Sequence, residues 1–295
     1  MQRGEIQYLT RPGGEWHRLL PGIYATDGKI TSRRRETAAW LHAGPAGVIT
    51  GPYAVRHFGL TASGPTAVDV LVPTDVRRVS TGFARLIRTT RMPENVYTIG
   101  PIRIAGPVRA IADAVRGYTD IGNARSLVCD ALLRETCTFT DLAAELNRGP
   151  SQGSLLLRRS LRDAAKGIWS AAEGDLLDLI ARSDLPEPEF NVTLHAADGE
   201  FLGVVDAWWQ HAGVAAEVDS SEYHLLAEDK DRTETRHNRI SSHGVQLLHF
   251  SPKRIKTSPG TVLAGLRTAI TTGEATPPLP IRATPHRAYG AIGLG

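Results

Sequence analysis

Three carboxylates crowd into one short stretch, Val204-Val205-Asp206-Ala207-Trp208-Trp209-Gln210-His211-Ala212-Gly213-Val214-Ala215-Ala216-Glu217-Val218-Asp219. Residues 204–209 and 214–218 are apolar, strand-like runs, and the polar break between them ends in glycine, which predicts a β-hairpin. If the hairpin is symmetric about that break, Trp209 pairs with Val214 and Asp206 falls opposite Glu217, with Cβ atoms about 4.5–5.5 Å apart. Glu217 and Asp219 then share one strand face, while Val214, Ala216 and Val218 point to a core. Like charges set opposite each other destabilise a sheet, and a divalent cation reverses that sign because hard cations take carboxylate oxygens. The competing reading is an acidic, solvent-facing patch on an ordinary hairpin; the apolar flanks of both strands speak against it.

The elements that must hold this hairpin lie on both sides of it. A helix over 170–183 is stopped by Pro186 and Pro188. Strands follow at 190–195, 203–209 and 214–219, then a charged helix over 229–242, a strand at 245–250 and a helix over 259–272. Helix, three antiparallel strands, helix, strand is an order whose last step returns in parallel, which predicts a mixed α/β sheet flanked by helices. Upstream, residues 16–25 read as two short strands around Pro21-Gly22. Ser32 is placed to cap a helix ending at His42, and a second helix over 50–58 tolerates Pro52 in its first turn. Strands at 68–73 and 84–88 precede helices over 108–115, 124–133 and 140–146, the last with Thr140 as its cap. Asn147-Arg148-Gly149-Pro150-Ser151-Gln152-Gly153-Ser154 is the best boundary signal, with a helix over 155–165 after it. The expected division is an α+β region over 1–148, a linker and connecting helix over 149–168, a second domain over 169–274, and a flexible tail over 275–295.

At 295 residues the chain is long enough for two domains, and a hydrophobic fraction of 41% supports a real core. The net charge is +3 and the isoelectric point about 9.0. Most of the 34 basic residues are arginine, which forks onto phosphate as lysine cannot, although genomic base composition would produce the same excess. With so modest a net charge, nucleic-acid binding has to come from local patches. Cys129 and Cys137 fit no metal spacing and read as reduced, buried residues. There is no apolar leader segment and no run of about 18–20 apolar residues, so a soluble, cytoplasmic protein without a membrane partner is expected. P-loop, dinucleotide-binding, H-E-x-x-H and G-x-S-x-G motifs are absent. Arg33-Arg34-Arg35 reads as a solvated helix face.

The second half resembles the PD-(D/E)xK nuclease core, and most closely its very-short-patch-repair-like branch of DUF559-type proteins. The residues that carry the resemblance, over about 165–270, are Ser170-Ala171-Ala172-Glu173, the run from Pro188 to Leu194, Asp206, Glu217-Val218-Asp219 with Tyr223-His224, Arg236-His237-Asn238-Arg239-Ile240, and Leu247-Leu248-His249-Phe250-Ser251-Pro252. The resemblance implies that Asp206, Glu217, the carbonyl of Val218 and Asp219 hold Mg²⁺ or Mn²⁺. Most of the superfamily carries lysine at position 219; an aspartate there cannot offset charge and would serve as a further ligand or as the base for the attacking water. Glu173 would reach the metal through water, or simply place negative charge at a helix N-terminus. His224 would protonate a leaving group, or stand exposed. Arg232, Arg236 and Arg239 share one helix face at i, i+4, i+7 and would hold a phosphate backbone, with ion pairs to Asp229, Asp231 and Glu234 as the alternative. Of Trp208 and Trp209, core placement is the better reading for both.

The first half is similar to the N-terminal region of AbiEi-type antitoxins, through Leu19-Leu20-Pro21-Gly22-Ile23-Tyr24, Gly51-Pro52-Tyr53-Ala54-Val55 with Leu60, and Pro107-Val108-Arg109-Ala110-Ile111-Ala112-Asp113. Such proteins open with a winged helix, of which this sequence carries a truncated, wing-like start. Together the resemblances imply a metal-dependent DNA endonuclease, or a nuclease-like DNA repair or defence protein. The alternatives are a non-catalytic DNA-binding regulator or antitoxin, with a toxin protein as partner and a degenerate nuclease core, and a module that binds only protein.

Overall fold

The apolar runs of both halves form mixed sheets. The computed structural model describes residues 8–11, 14–26, 30–64, 66–218 and 227–286, and the side chains of all of these except 227–233. Asp219 and His224 lie outside the described residues, and of Arg232 only the backbone is described. The chain divides into two units. Unit 1 is Met1–Asn123 with Asp130–Leu157, and unit 2 is Ala124–Cys129 with Arg158–Gly295.

Unit 1 opens with the antiparallel pair β1 (His17–Leu20) and β2 (Ile23–Ala25). Helix α1 (Ser32–Ala43) is capped by Thr31, whose side chain accepts from the N–H of Arg34, one residue before the expected cap. Strand β3 (Val48–Thr50), helix α2 (Gly51–Arg56), strands β4 (Val68–Pro73), β5 (Ala84–Thr89), β6 (Val96–Ile99) and β7 (Ile102–Ala105), and helix α3 (Pro107–Arg116) follow. The five strands are ordered β5-β4-β3-β7-β6, with β4–β5 and β3–β7 parallel. Helix α4 (Ile121–Leu133) is capped by Asp120. Helix α5 (Phe139–Arg148) starts one residue earlier than expected and its cap lies two residues earlier, because Thr138 and Asp141 form a reciprocal capping box. The unit combines helices with a mixed sheet; the strand β3 and the hairpin β6–β7 were not expected.

In unit 2, helix α6 (Leu155–Ala165), most of which belongs here, precedes α7 (Ala171–Ile180), then β8 (Glu189–His195), β9 (Phe201–Trp209), β10 (Val214–Val218), α8 (Ala227–Ser242), β11 (Gln246–Phe250), α9 (Pro252–Thr257), α10 (Pro259–Glu274) and β12 (Arg282–Pro285). The sheet order is β11-β10-β9-β8-β12. The meander β8–β9–β10 is antiparallel and β11 returns parallel to β10, as the element order predicts. Trp209 pairs with Val214, the register expected from the turn. The tail departs from expectation: residues 282–285 pair with β8 and extend the sheet instead of hanging loose.

Both faces of this sheet are covered. Phe190, Ala207, Trp209, Val214 and Ala216 pack with Leu176, Leu177 and Ile180 of α7 and with Val262 and Leu266 of α10. Val192, Leu194, Val205, Trp208 and Ala215 pack with Ile240 of α8. Both tryptophans are core, at 1% exposure. Residues two apart on a strand share a face, yet Phe190 and Val192, and likewise Val205 and Ala207, divide between the two clusters. The alternation therefore breaks at Asn191 and Asp206. Asn191 has φ +48°, a left-handed conformation that asparagine tolerates better than most residues. Gly203 admits α8 to the sheet: a Cβ there would lie 2.9 Å from Ile240 Cδ1.

Candidate functional site

Of the acids expected to act together, Glu173 and Glu217 belong to two groups in unit 2, and Asp206 of β9 touches on both. The first begins at α7. Ser170 caps this helix by accepting from the N–H of Glu173, which fixes Glu173 at its third position. The Glu173 carboxylate turns back to accept from the N–H of Trp169 at 2.9 Å and from the Asn191 amide at 2.5 Å. Asn191 also donates to the carbonyl of Gly167 at 2.8 Å, so its left-handed backbone is what aims the amide at the loop before α7. Glu173 is buried, and burial, reinforced by the charge of Asp206, pushes its carboxyl up to about 7. Near neutrality it is divided between its protonated and ionised forms.

Asp206 is the link to the second group. Its Oδ2 accepts the N–H of Val218 at 2.7 Å. The last paired residues of the β9–β10 ladder are Ala216 and Ala207, and one step further the main-chain donor of β10 goes to a side chain. Val218 is thus tied to the site through its N–H.

Glu217 is the centre of the second group and is 4% exposed. Its Oε2 accepts from Arg236 Nη2 at 2.8 Å and lies 3.0 Å from His237 Nε2, both on α8. The parallel register sets Glu217 beside His249 of β11, whose Nδ1 is 3.8 Å from the same oxygen. The two imidazole rings are 4.3 Å apart, centroid to centroid. His237 and His249 were quoted in the resemblance but not given roles. Glu217 and His249 are 32 positions apart, and only strand pairing joins them.

Arg236 and Arg239 were expected on a phosphate-facing side of their helix. The structure turns both toward the sheet. Arg236 spans Glu217 and the carbonyl of Val204, and Arg239 donates to the carbonyl of Leu202 at 2.8 Å with its guanidinium 5.5 Å from the Phe201 ring. Both guanidiniums therefore secure α8 against β9. Cys129 and Cys137 are buried free thiols, as expected, and burial pushes both up to about 12.

The donors bear on the expected Mg²⁺. That ion requires oxygen ligands in near-octahedral array. Around Glu217 the atoms on offer are one carboxylate and two imidazole nitrogens, all within 4.8 Å of one another. The described residues near Glu217 therefore fit Mg²⁺ poorly, and two nitrogens with one oxygen suit a first-row transition dication.

Unit 1 also holds a crevice of about 860 Å³ lined by Arg85, Arg88, Arg91, Arg109, Arg116 and Arg148. Arg85 is tied to the buried Asp69, Arg91 to the buried Glu145, and Arg109 and Arg116 to Asp113. This is an interlocked charge network in which most of the guanidiniums already have acidic partners. No helix among the described residues is long and apolar enough to cross a membrane. Compared with known protein families and with curated proteins, the sequence has no match.

Proposed function

We propose that unit 2 is a metal-dependent hydrolase of DNA phosphodiester bonds. The observation that carries this reading is the buried Glu173, poised near neutrality under the charge of Asp206, whose carboxylate in turn accepts the N–H of Val218, the residue after Glu217. A helix–three-strand–helix–strand order with β11 parallel to β10 supports it as well, being what the PD-(D/E)xK resemblance implies. A bound dication polarises a phosphate and lowers the pKa of water. Glu217 is placed to hold such an ion. Glu173, beside Asp206, is suited to take up or release a proton during the reaction. Asp219 as a base or ligand, His224 as a proton donor and Arg232 as a phosphate contact complete the set.

A second reading has its own observation. Arg236 already neutralises Glu217, as expected of a retired site in a DNA-binding regulator or antitoxin that meets a toxin partner. Incubation of plasmid, linear duplex and single-stranded DNA with Mg²⁺, Mn²⁺, Zn²⁺ or EDTA separates the two. Cleavage by the wild type, blocked by EDTA and lost in the Asp206→Ala/Glu217→Ala double variant, supports the hydrolase. DNA binding without cleavage, equal in both proteins, supports the regulator.

A further inference from the structure

We infer that Glu217, His237 and His249 form a binding site for a first-row transition dication, with zinc as the representative ion. The inference deepens the hydrolase reading and rests on it only in taking Glu217 as a metal ligand. Three features of the cluster support it.

The first is distance. Ligand atoms about 2.0–2.1 Å from a tetrahedral zinc stand about 3.3 Å from one another. Glu217 Oε2 is 3.0 Å from His237 Nε2 and 3.8 Å from His249 Nδ1, so small side-chain adjustments close the set. The second is rigidity of origin. Glu217 and His249 are direct partners on adjacent parallel strands, and His237 comes from a helix whose Ile240 is fully buried against the same sheet. Ligands carried on strands and helices are held more precisely than ligands on loops. The third is exposure. The Glu217 side chain is 6% exposed, His237 24% and His249 33%, so the carboxylate is buried while both imidazoles are partly exposed. Three protein ligands with one open side are the arrangement of catalytic zinc sites.

Arg236 is the local competitor, since its Nη2 shares Oε2 and lies 3.2 Å from His237 Nε2. A neutral His237 Nε2 either donates to the carboxylate or accepts from the guanidinium; it has no arrangement that satisfies both contacts at once. That nitrogen thus faces a carboxylate oxygen with a lone pair to give if its proton sits on Nδ1, which is the state a metal requires.

The test is isothermal titration of the metal-stripped full chain with Zn²⁺, Mn²⁺ and Mg²⁺, for the wild type, His237→Ala, His249→Ala and the control His211→Ala. One zinc per chain is expected, bound far more tightly than Mg²⁺. Loss of a direct ligand should exceed the 10–100-fold cost typical of outer-shell changes, so each ligand variant should weaken zinc by more than about 100-fold, with His211→Ala, whose imidazole meets Glu274 instead, close to wild type. Zinc binding that is absent, or equal in the wild type and both ligand variants, overturns the inference. Should a ligand variant fail to fold, Co²⁺ added to the wild type decides. Intense visible d–d bands of a low-coordinate nitrogen–oxygen site support the site, and the weak spectrum of an octahedral aquo ion refutes it. Cleavage assayed alongside keeps the two readings apart. Zinc bound through the histidines without cleavage leaves the site standing and removes the hydrolase. Mg²⁺-dependent cleavage by a chain that binds no zinc does the reverse.

Discussion

At the scale of single residues, the behaviour of Glu173 follows from where its carboxylate is kept. Burial first, and the charge of Asp206 second, push its carboxyl up from an ordinary value near 4.5 to about 7. A raised carboxyl pKa means that the folded chain holds the proton more tightly than the unfolded one. The associated stability is full below about pH 4.5 and is lost as pH rises through about 7, a difference on the order of 3 kcal/mol. Urea midpoints measured from pH 4.5 to 8 should fall across that window, and Glu173→Gln should flatten the fall; an unchanged slope in the variant would place the titration elsewhere. Arg236 gives the second residue-level expectation. It shares the buried Glu217 with His237, so Arg236→Leu should cost about 1–3 kcal/mol in chemical denaturation. A variant of unaltered stability but weakened DNA affinity would show that the guanidinium serves phosphate instead. That Asp206 and Glu217 are candidates for metal-binding chemistry was legible from residue type and spacing. The involvement of His237 and His249 was not, because nothing in a local pattern marks a histidine as facing a carboxylate.

At the scale of elements, the site depends on how the loop before α7 meets β8. Gly167 has φ +90°, and a Cβ on it would lie 2.7 Å from the carbonyl oxygen of Phe190. Its own carbonyl accepts from Asn191, the residue that reaches Glu173. Gly167→Ala should therefore lower stability by about 1–3 kcal/mol and also bring the Glu173 titration down, because the loop must move off β8. Carboxyl chemical shifts followed against pH would record the second effect, and a titration left near 7 would separate the loop from the acid. The hairpin register was readable in advance, since the Gly-terminated break and the period-2 apolar pattern are local properties. The break in alternation at Asn191 and Asp206 was not, because a left-handed asparagine in a strand is stabilised by its contacts with Gly167 and Glu173, far along the chain. It is also why Asp206 and Glu217, adjacent in the simple register, have their described partners on different elements.

At the scale of the whole molecule, unit 2 is not a continuous length of chain. Ala124–Cys129 of α4 belongs to it, and Arg125 there is fully buried between Asp163 and Asp178, against Gly174 of α7. Removing one member of a buried ion cluster costs several kcal/mol, so Arg125→Met should destabilise unit 2 by about 3 kcal/mol. Trp169, Trp208 and Trp209 all lie in unit 2 and supply the fluorescence signal for that unfolding transition; an unshifted midpoint would show the cluster to be dispensable. A boundary near Gly149-Pro150 was visible as composition, but the contribution of α4 to the second unit was not. The sequence alone determined the order of elements from α7 to β11, the central hairpin register, the parallel return of the last core strand and the burial of both tryptophans. Each of these rests on periodicity and turn chemistry acting over a few residues. Tertiary structure alone decided that His249 stands beside Glu217, that Arg236 and Arg239 turn toward the sheet, and that residues 282–285 complete the sheet. Those outcomes depend on pairing between distant segments, where the free energy lies in the contact and leaves no pattern in either partner.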